Sequence, residues 1–254
     1  MRSIESDVVV GRLPALACLR AGRREVYRAL VYENAEGIEE IIAALPAERI
    51  VRTDRASLDR LANGARHQGV VLEVSPLPLL SLGAWLDKGV PEQCVVLILD
   101  SITDPMNFGA VIRSAAAFGA AGVLFQKDRA APITPAVVKA SAGGVEYMDL
   151  IQATNLVRDI QRLKKEGFWV NALDAGGDRL LWQADLRGRV ALVIGSEGMG
   201  IRRLVKEHSD FIVSIPIRKE LDSLNASVSA GIALGEWVRQ NQSGFSDVEK
   251  APRT

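Results

Sequence analysis

The sequence contains few residues of the types that bind metals or form disulfides. Among its 254 residues there are only two cysteines and two histidines. Cys18 and Cys94 are far apart, and together with His67 and His208 they offer neither the spacing of a zinc site nor a disulfide framework. We therefore expect no bound metal, and unpaired cysteines of this kind are typical of a reducing cytoplasm.

Long apolar runs are absent too. No stretch reaches the roughly 18 apolar residues that a membrane span requires, and the opening MRSIESDVVVGR lacks the apolar segment of a signal peptide. Hydrophobic residues nevertheless make up 48% of the chain, which is enough for a sizeable core. The sequence predicts a cytoplasmic globular protein that does not engage a membrane.

The chain carries no net charge, because 31 basic residues balance 31 acidic ones. This balance disfavours a protein that coats nucleic acid through its overall charge. It is compatible with a local basic cluster, and five arginines lie in a short stretch near the start: Arg12, Arg20, Arg23, Arg24 and Arg28. Taken alone, such a run is more typical of a solvated surface.

Residues 1–75 alternate between helical and extended patterns. The pattern predicts helices at 13–19, 38–45 and 58–65 and strands at 26–32 and 70–74. This alternation is typical of a small α/β sandwich. Residues 76–93 carry proline and glycine at both ends, which predicts a linker with a short helix at 82–86 and a small domain that folds independently.

Residues 94–240 have a different pattern. Short, nearly continuous apolar runs predict strands at 95–100, 122–125, 168–173, 190–195 and 211–216. Helical segments are predicted between and after them at 109–118, 134–141, 155–165, 202–208 and 224–239. Strands that alternate with helices predict an α/β domain with an open parallel sheet. The polar residues 241–254 are predicted to form a flexible tail.

Three polar loops follow predicted strands, at the edge where open parallel sheets bind ligands. The first contains Asn107 and leads into a helix with Arg113, which we expect to face inward. The second is GSEGMG, which contains Glu197, and the third leads to Asn225. A capping role would explain Asn107 by itself, and a surface position would explain Arg113. The functional interpretation therefore depends on the three loops together.

The glycine-rich second loop matches neither common nucleotide fingerprint. Its glycines have the spacing G-x-x-G-x-G, whereas a dinucleotide site has G-x-G-x-x-G. The Gly-Lys-Ser or Gly-Lys-Thr of a phosphate loop is absent as well. The glycines instead indicate close approach of the backbone to some other ligand.

Three long segments resemble the motifs of the SPOUT superfamily, in its SpoU-like branch of RNA ribose 2′-O-methyltransferases. They are DSITDPMNFGAVIRSAAAFGAAGV, ALVIGSEGMGIRRL and SIPIRKELDSLNASVSAGIALGEWV. The resemblance implies a parallel-sheet domain with a C-terminal deep trefoil knot, S-adenosylmethionine as cofactor and a homodimer. Residues 1–75, which contain GARHQGV, look like the ribosomal-protein-like RNA-binding domain of the branch that methylates a guanosine of large-subunit ribosomal RNA.

The resemblance also implies roles for individual residues. The catalytic set is Arg113, Asn107, Glu197 and Asn225. The cofactor-binding set is Gly195, Ile215, Pro216, Ser223 and Leu224. The RNA-binding set is Arg12, Arg20, Arg23, Arg24 and His67, although a lone histidine before a strand is more often structural. A guanidinium has a pKa above about 12 and rarely releases its proton. We therefore interpret Arg113 as a charge that stabilises the forming alkoxide.

Two alternatives remain at this point. A tRNA ribose methyltransferase of the same branch would share every catalytic residue, but such relatives commonly carry helical extensions in place of this N-terminal domain. A non-catalytic RNA-binding protein with the same fold is the second alternative. The presence of all four predicted catalytic residues disfavours it.

Overall fold

The computed structural model describes residues 6–218, 220–221 and 223–241. The first part of the chain forms a small domain. Its elements are β1 (Asp7–Val10), α1 (Arg12–Ala21), β2 (Val26–Tyr32), α2 (Glu39–Ala43), β3 (Ile50–Thr53), α3 (Arg55–Ala62) and β4 (Val70–Val74). The four strands form one sheet in the order β1-β4-β2-β3. The predicted strands at 26–32 and 70–74 are confirmed, whereas β1 and β3 were not predicted from the sequence.

The large domain is built on eight parallel strands. Its first elements are β5 (Leu79–Leu80), α4 (Leu82–Leu86), β6 (Cys94–Asp100), α5 (Pro105–Ala117), β7 (Gly122–Gln126), α6 (Pro135–Ala140), β8 (Leu150–Ala153) and α7 (Leu156–Lys165). The others are β9 (Trp169–Leu173), β10 (Arg179–Leu180), β11 (Arg189–Gly195), α8 (Arg203–His208), β12 (Phe211–Ser214) and α9 (Ala226–Gln240). The strand order is β10-β12-β9-β11-β6-β7-β8-β5. The predicted α/β class with a parallel sheet is confirmed.

The segment predicted as a linker contributes to the large domain. Strand β5 pairs in parallel with β8, and the predicted helix at 82–86 is α4. Trp85 on that helix is buried, and its indole Nε1 donates to the carbonyl oxygen of Ala121 at 3.2 Å. Residues 79–86 therefore pair and pack with the large domain, with Leu82 and Trp85 buried, which corrects the linker prediction.

The two domains also share one continuous hydrophobic core. Small-domain residues such as Val9 and Cys18 belong to the same buried cluster as Val137 and Val145 of the large domain. This packing disfavours independent folding of the small domain, because each domain covers apolar side chains of the other.

The described residues include no helix that is long and apolar enough to cross a membrane. At the far end of α9, Asn241 is buried, and its side-chain amide donates to the carbonyl oxygens of Leu186 and Trp237. The predicted flexible tail therefore does not include Asn241. The rest of that tail, 242–254, lies outside the described residues.

Candidate active site

The first two predicted loops begin side by side at the carboxyl edge of the sheet. Gly195 at the end of β11 is in register with Asp100 at the end of β6. Helix α5 then starts at Pro105, and the side chain of Asp104 caps it by accepting from the backbone N–H of Asn107 at 2.8 Å. The capping role considered for Asn107 therefore belongs to Asp104, and the Asn107 side chain is available for other contacts.

Asn107, Glu197 and Asn225 form one hydrogen-bonded group, which we call the amide–carboxylate network. Asn107 Nδ2 donates to Glu197 Oε1 at 2.9 Å, and Asn225 Nδ2 donates to Asn107 Oδ1 at 2.8 Å. Asn225 Nδ2 also donates to Glu197 Oε1, as does the backbone N–H of Ala226 at 3.4 Å. Three predicted catalytic residues from three separate loops therefore meet in the structure.

The start of α9 fixes the orientation of Asn225. Its Oδ1 accepts from the backbone N–H groups of Ser227 and Val228 at 2.9 and 3.3 Å, and from Ser227 Oγ at 2.6 Å. An asparagine at this position satisfies backbone donors that the helix leaves free. The same side chain thus caps α9 with its oxygen and reaches the other two loops with its nitrogen.

A cavity of about 540 Å³ adjoins the network. Four of the five predicted cofactor residues line it: Gly195, Ile215, Ser223 and Leu224. Pro216 does not line it, although its neighbours Ile215 and Ile217 do. The volume is within the range of about 300–1,000 Å³ that is common for small-molecule sites.

Gly195 allows the loop backbone beside the cavity to fold closely on itself. A Cβ atom on Gly195 would lie 2.3 Å from the carbonyl carbon of Gly200, so no side chain fits there. Ser196 and Gly200 exchange two backbone hydrogen bonds, of 3.2 and 2.9 Å. Ser196 lines the cavity, and its buried Oγ makes no hydrogen bond within the described part of the chain. These features fit the expected cofactor.

Asp174 is a cavity residue that was not predicted from the sequence. It follows β9 and lines the cavity, where its carboxylate pairs with Lys206 and accepts from the backbone N–H of Gly176 at 3.0 Å. Burial acts to raise the pKa of Asp174, but Lys206 and the Gly176 amide together hold this pKa below its usual value. Its position directly after a buried strand was the available signal.

A second unpredicted pair secures the end of the glycine-rich loop. Asp100 is fully buried and accepts from the Nε and the backbone N–H of Arg202, at 2.6 and 2.8 Å. The same guanidinium donates to Gln126 Oε1 at 2.7 Å. Arg202 therefore ties the loop to the ends of β6 and β7.

Arg113 is exposed rather than directed inward, which corrects that expectation. It makes no hydrogen bond or ion pair with any residue that the structure describes. Arg113 lies six positions after Asn107 on α5, which places it about 9 Å along the helix axis and about 120° around it. The fold therefore does not bring Arg113 into the network of its own chain.

The small domain contains a wider cleft of about 970 Å³, which we call the small-domain cleft. Arg12, Arg55, Arg66 and His67 are among the residues that line it. Arg55 and Arg66 are exposed and make no side-chain hydrogen bond to any described residue. The His67 ring is held within the domain, because its Nδ1 accepts from the backbone N–H of Gly69 at 3.0 Å. Two residues of the predicted RNA-binding set, Arg12 and His67, thus lie together.

The other three predicted RNA-binding arginines lie elsewhere. Arg20 is exposed and forms an ion pair with Glu40 at 2.6 Å. Arg23 is half-buried and pairs with Asp149. The Arg24 side chain is only 2% exposed and bonds to Asp7 and to other protein groups. The prediction that Arg24 contacts RNA is corrected, since a guanidinium buried in this way cannot reach a nucleic acid.

Similarity to known proteins extends over both domains. Residues 94–235 match the SpoU rRNA methylase family, and residues 8–80 match the RNA 2′-O ribose methyltransferase substrate-binding domain. The chain is 40% identical over 246 residues to an uncharacterized tRNA/rRNA methyltransferase of Mycolicibacterium paratuberculosis. That alignment covers 95% of this chain and 80% of the relative.

Solved structures share the architecture. An RNA 2′-O ribose methyltransferase superposes with a TM-score of 0.80 at 28% identity, covering 94% of this chain and 90% of the other. The SpoU methyltransferase AviRb from Streptomyces viridochromogenes, in complex with the cofactor AdoMet, superposes with a TM-score of 0.79 at 25% identity, covering 94% and 92%. The chain therefore belongs to the SpoU rRNA methylase family and is an S-adenosylmethionine-dependent RNA 2′-O-ribose methyltransferase.

Proposed function

We propose that this enzyme methylates the ribose 2′-hydroxyl of a guanosine in large-subunit ribosomal RNA, in the cytoplasm. The observation that carries the proposal is the amide–carboxylate network at the rim of a cavity that fits the cofactor. The small-domain cleft supports an RNA substrate, because its unpaired cations Arg55 and Arg66 suit phosphates and its side chains offer contacts to unstacked bases.

Four residues would hold the cofactor: Gly195, Ile215, Ser223 and Leu224. When bound, S-adenosylmethionine would supply an electrophilic methyl group attached to a sulfonium. Transfer of that methyl group would leave the sulfur as a neutral thioether. The apolar side chains of Ile215 and Leu224 suit an adenine ring, and Pro216 stiffens the backbone between Ile215 and Ile217. Ser196 Oγ and the Asp174 carboxylate provide polar contacts in the same cavity.

Arg113 supplies the positive charge at the reacting nucleotide. The 2′-hydroxyl must lose its proton as its oxygen bonds to the methyl carbon, and an adjacent RNA phosphate accepts that proton. The guanidinium binds the phosphate at two points and stabilises the negative charge that develops on the ribose oxygen. A fixed charge of this kind contributes on the order of 3 kcal/mol to transition-state stabilisation.

Arg113 acts across the interface of a homodimer. Within one chain Arg113 is exposed, has no partner among the described residues and projects from a different side of α5 than Asn107. The positive charge at each active site would therefore come from Arg113 of a second copy of the chain. Met106 and Val228, at the starts of α5 and α9, are large apolar side chains that are 63% and 48% exposed. Burying such side chains against a second subunit would be favourable.

The C-terminal segment forms the trefoil knot of the family. The proposal is supported by the path of the chain, because β12 lies next to β9 whereas α9 returns to pack against α5 and β11. The connecting residues Ile215 and Leu224 line the same cavity as loop 195–200. An experimental structure in which this connection ran outside the loop, without threading, would contradict the knot.

The function is tested with purified enzyme, S-adenosylmethionine and transcripts of ribosomal RNA and tRNA, by mapping the methylated ribose. We expect product on ribosomal RNA only, and Arg113→Ala should lose at least about a hundredfold in kcat while keeping its calorimetric cofactor affinity. Arg113→Lys should fail as well, because an ammonium lacks the planar two-point contact to phosphate. Modification of tRNA alone would establish the alternative substrate, and an active Arg113→Ala enzyme would exclude the catalytic role.

Mixing subunits tests whether the site is shared. Arg113→Ala and Glu197→Ala homodimers should each be inactive. If Arg113 acts across the interface, each mixed dimer contains one intact site, so an equal mixture should recover about one quarter of the parent activity. If Arg113 acts within its own chain, no intact site forms and the mixture stays inactive.

A further inference from the structure

A short segment of the large domain is packed between the two domains. We call residues 143–146 the wedge. On one side, a Cβ atom on Gly143 would lie 2.4 Å from the Ala17 Cβ of small-domain helix α1. On the other side, a Cβ atom on Gly144 would lie 3.2 Å from the Cα of Arg113. The wedge therefore packs closely against α1 at Gly143 and against the Arg113 backbone at Gly144, and a side chain at either glycine would require its neighbours to shift.

A buried ion pair fixes the wedge to the small domain. Arg24 Nη1 donates to Glu146 Oε1 at 3.2 Å, and Nη2 donates to Asp7 Oδ2 at 2.9 Å. Arg24 Nε donates to the carbonyl oxygen of Ser75 at 2.7 Å, so the guanidinium is held from three directions. Glu146 is fully buried, and its second carboxylate oxygen has no partner among the described residues. Burial raises the pKa of Glu146, and Arg24 opposes that effect.

The adjacent arginine holds the residues that follow the wedge. Arg23 donates to the carbonyl oxygen of Met148 at 2.8 Å and to Asp149 Oδ1 at 2.6 Å. Lys88 binds the other oxygen of Asp149 at 2.8 Å. Two consecutive small-domain arginines therefore fix the chain from residue 146 to residue 149.

We propose that Arg24 and Glu146 are positioning residues for Arg113, through which the small domain sets the place of the catalytic helix. The proposal rests on the catalytic role of Arg113. An apolar contact would join the two domains without fixing their relative orientation. A guanidinium that donates to three acceptors at once requires one orientation of the groups that it joins. A buried charged pair is a costly way to stabilise a fold, so a role in specifying geometry accounts for it better.

The test uses the full-length enzyme with Glu146→Gln, which keeps the shape of the side chain and removes its charge. We expect kcat to fall about tenfold or more, because small displacements of a catalytic group reduce turnover strongly. The KM for RNA and the calorimetric Kd for S-adenosylmethionine should stay within about twofold of the parent. Glu73→Gln is the matched control, since Glu73 on β4 also binds an arginine of the small domain, Arg28 on β2, and makes no hydrogen bond to the wedge among the described residues.

A double-mutant cycle separates positioning from general stabilisation. In an Arg113→Lys background, whose residual activity is followed in single-turnover assays, Glu146→Gln should change the rate by less than about twofold. Equal losses in both backgrounds would overturn the inference. An active Arg113→Ala enzyme would instead refute the proposed function. If Glu146→Gln does not fold, Arg24→Lys, which keeps the charge but loses the forked contact, is put through the same cycle with the same two outcomes.

Discussion

The small-domain cleft and the cofactor cavity use their charged side chains in opposite ways. In the small-domain cleft, Arg55 and Arg66 are exposed and have no partner among the described residues. At the cofactor cavity, Asp174 is paired with Lys206, and Glu197 accepts from three nitrogen donors. Unpaired surface cations suit a flexible polyanion, whose binding depends on salt. Groups that are already satisfied form a rigid site for a ligand of fixed shape.

The two domains are also in direct contact through buried side chains. The hydrophobic core continues from the small domain into the large domain. Arg24 and Glu146 form an ion pair at this junction, and both side chains are at most 2% exposed. No other ion pair among the described residues is buried to this extent on both sides. The proposed RNA surface and the proposed active site are therefore joined by a shared core and a buried ion pair.

The largest expected effect comes from removing residues 1–75. The remaining chain should not fold, because Val137, Val145 and Met148 lose their cover and Glu146 loses Arg24, the only cation bonded to it among the described residues. Circular dichroism during heating should show no cooperative transition. A fragment that melts cooperatively near the parent temperature and binds S-adenosylmethionine would show that the domains are independent.

A smaller effect is expected at the small-domain cleft. Replacing Arg55 and Arg66 with alanine should weaken RNA binding about tenfold at low salt and reduce the logarithmic salt slope by about two units. Cofactor affinity should not change. Arg20→Ala should leave both quantities near the parent values, because Arg20 is already paired with Glu40. Fluorescence anisotropy across a salt series measures the RNA affinity and its salt slope. If the salt slope changed only in Arg20→Ala, the RNA-binding surface would lie on α1 around Arg20 instead of in the small-domain cleft.

The smallest effect is expected for Asp174→Asn, and it should depend on pH. The pKa of Asp174 is held below its usual value, so the ionised group stabilises the fold above its unfolded-state pKa, and this contribution is lost as pH falls through the folded-state pKa. The variant should lose about 1 kcal/mol in the free energy of unfolding at neutral pH. Urea titrations should show the difference shrinking in acid, whereas a constant difference would mean that charge is not the cause.

Much of the architecture was predictable because local pattern determines it. Strands β2 and β4 and most of β6 are apolar runs of sufficient length, and the predictions matched them to within a residue. Strands β5 and β8 were not predicted, since they have two and four residues. Such short segments show no periodicity, and they are extended because they pair with a neighbouring strand.

The site divides in the same way. The sequence by itself indicated which side chains meet at the proposed site, because Asn107, Glu197 and Asn225 belong to three recognisable motifs. Tertiary structure alone decided which charges are free. Arg20, Arg23 and Arg24 are equivalent in the sequence, yet only Arg24 is fully buried, because Glu146 reaches it from 122 residues away. Local pattern contains no information on a partner at that distance, and the packing of two domains determines it.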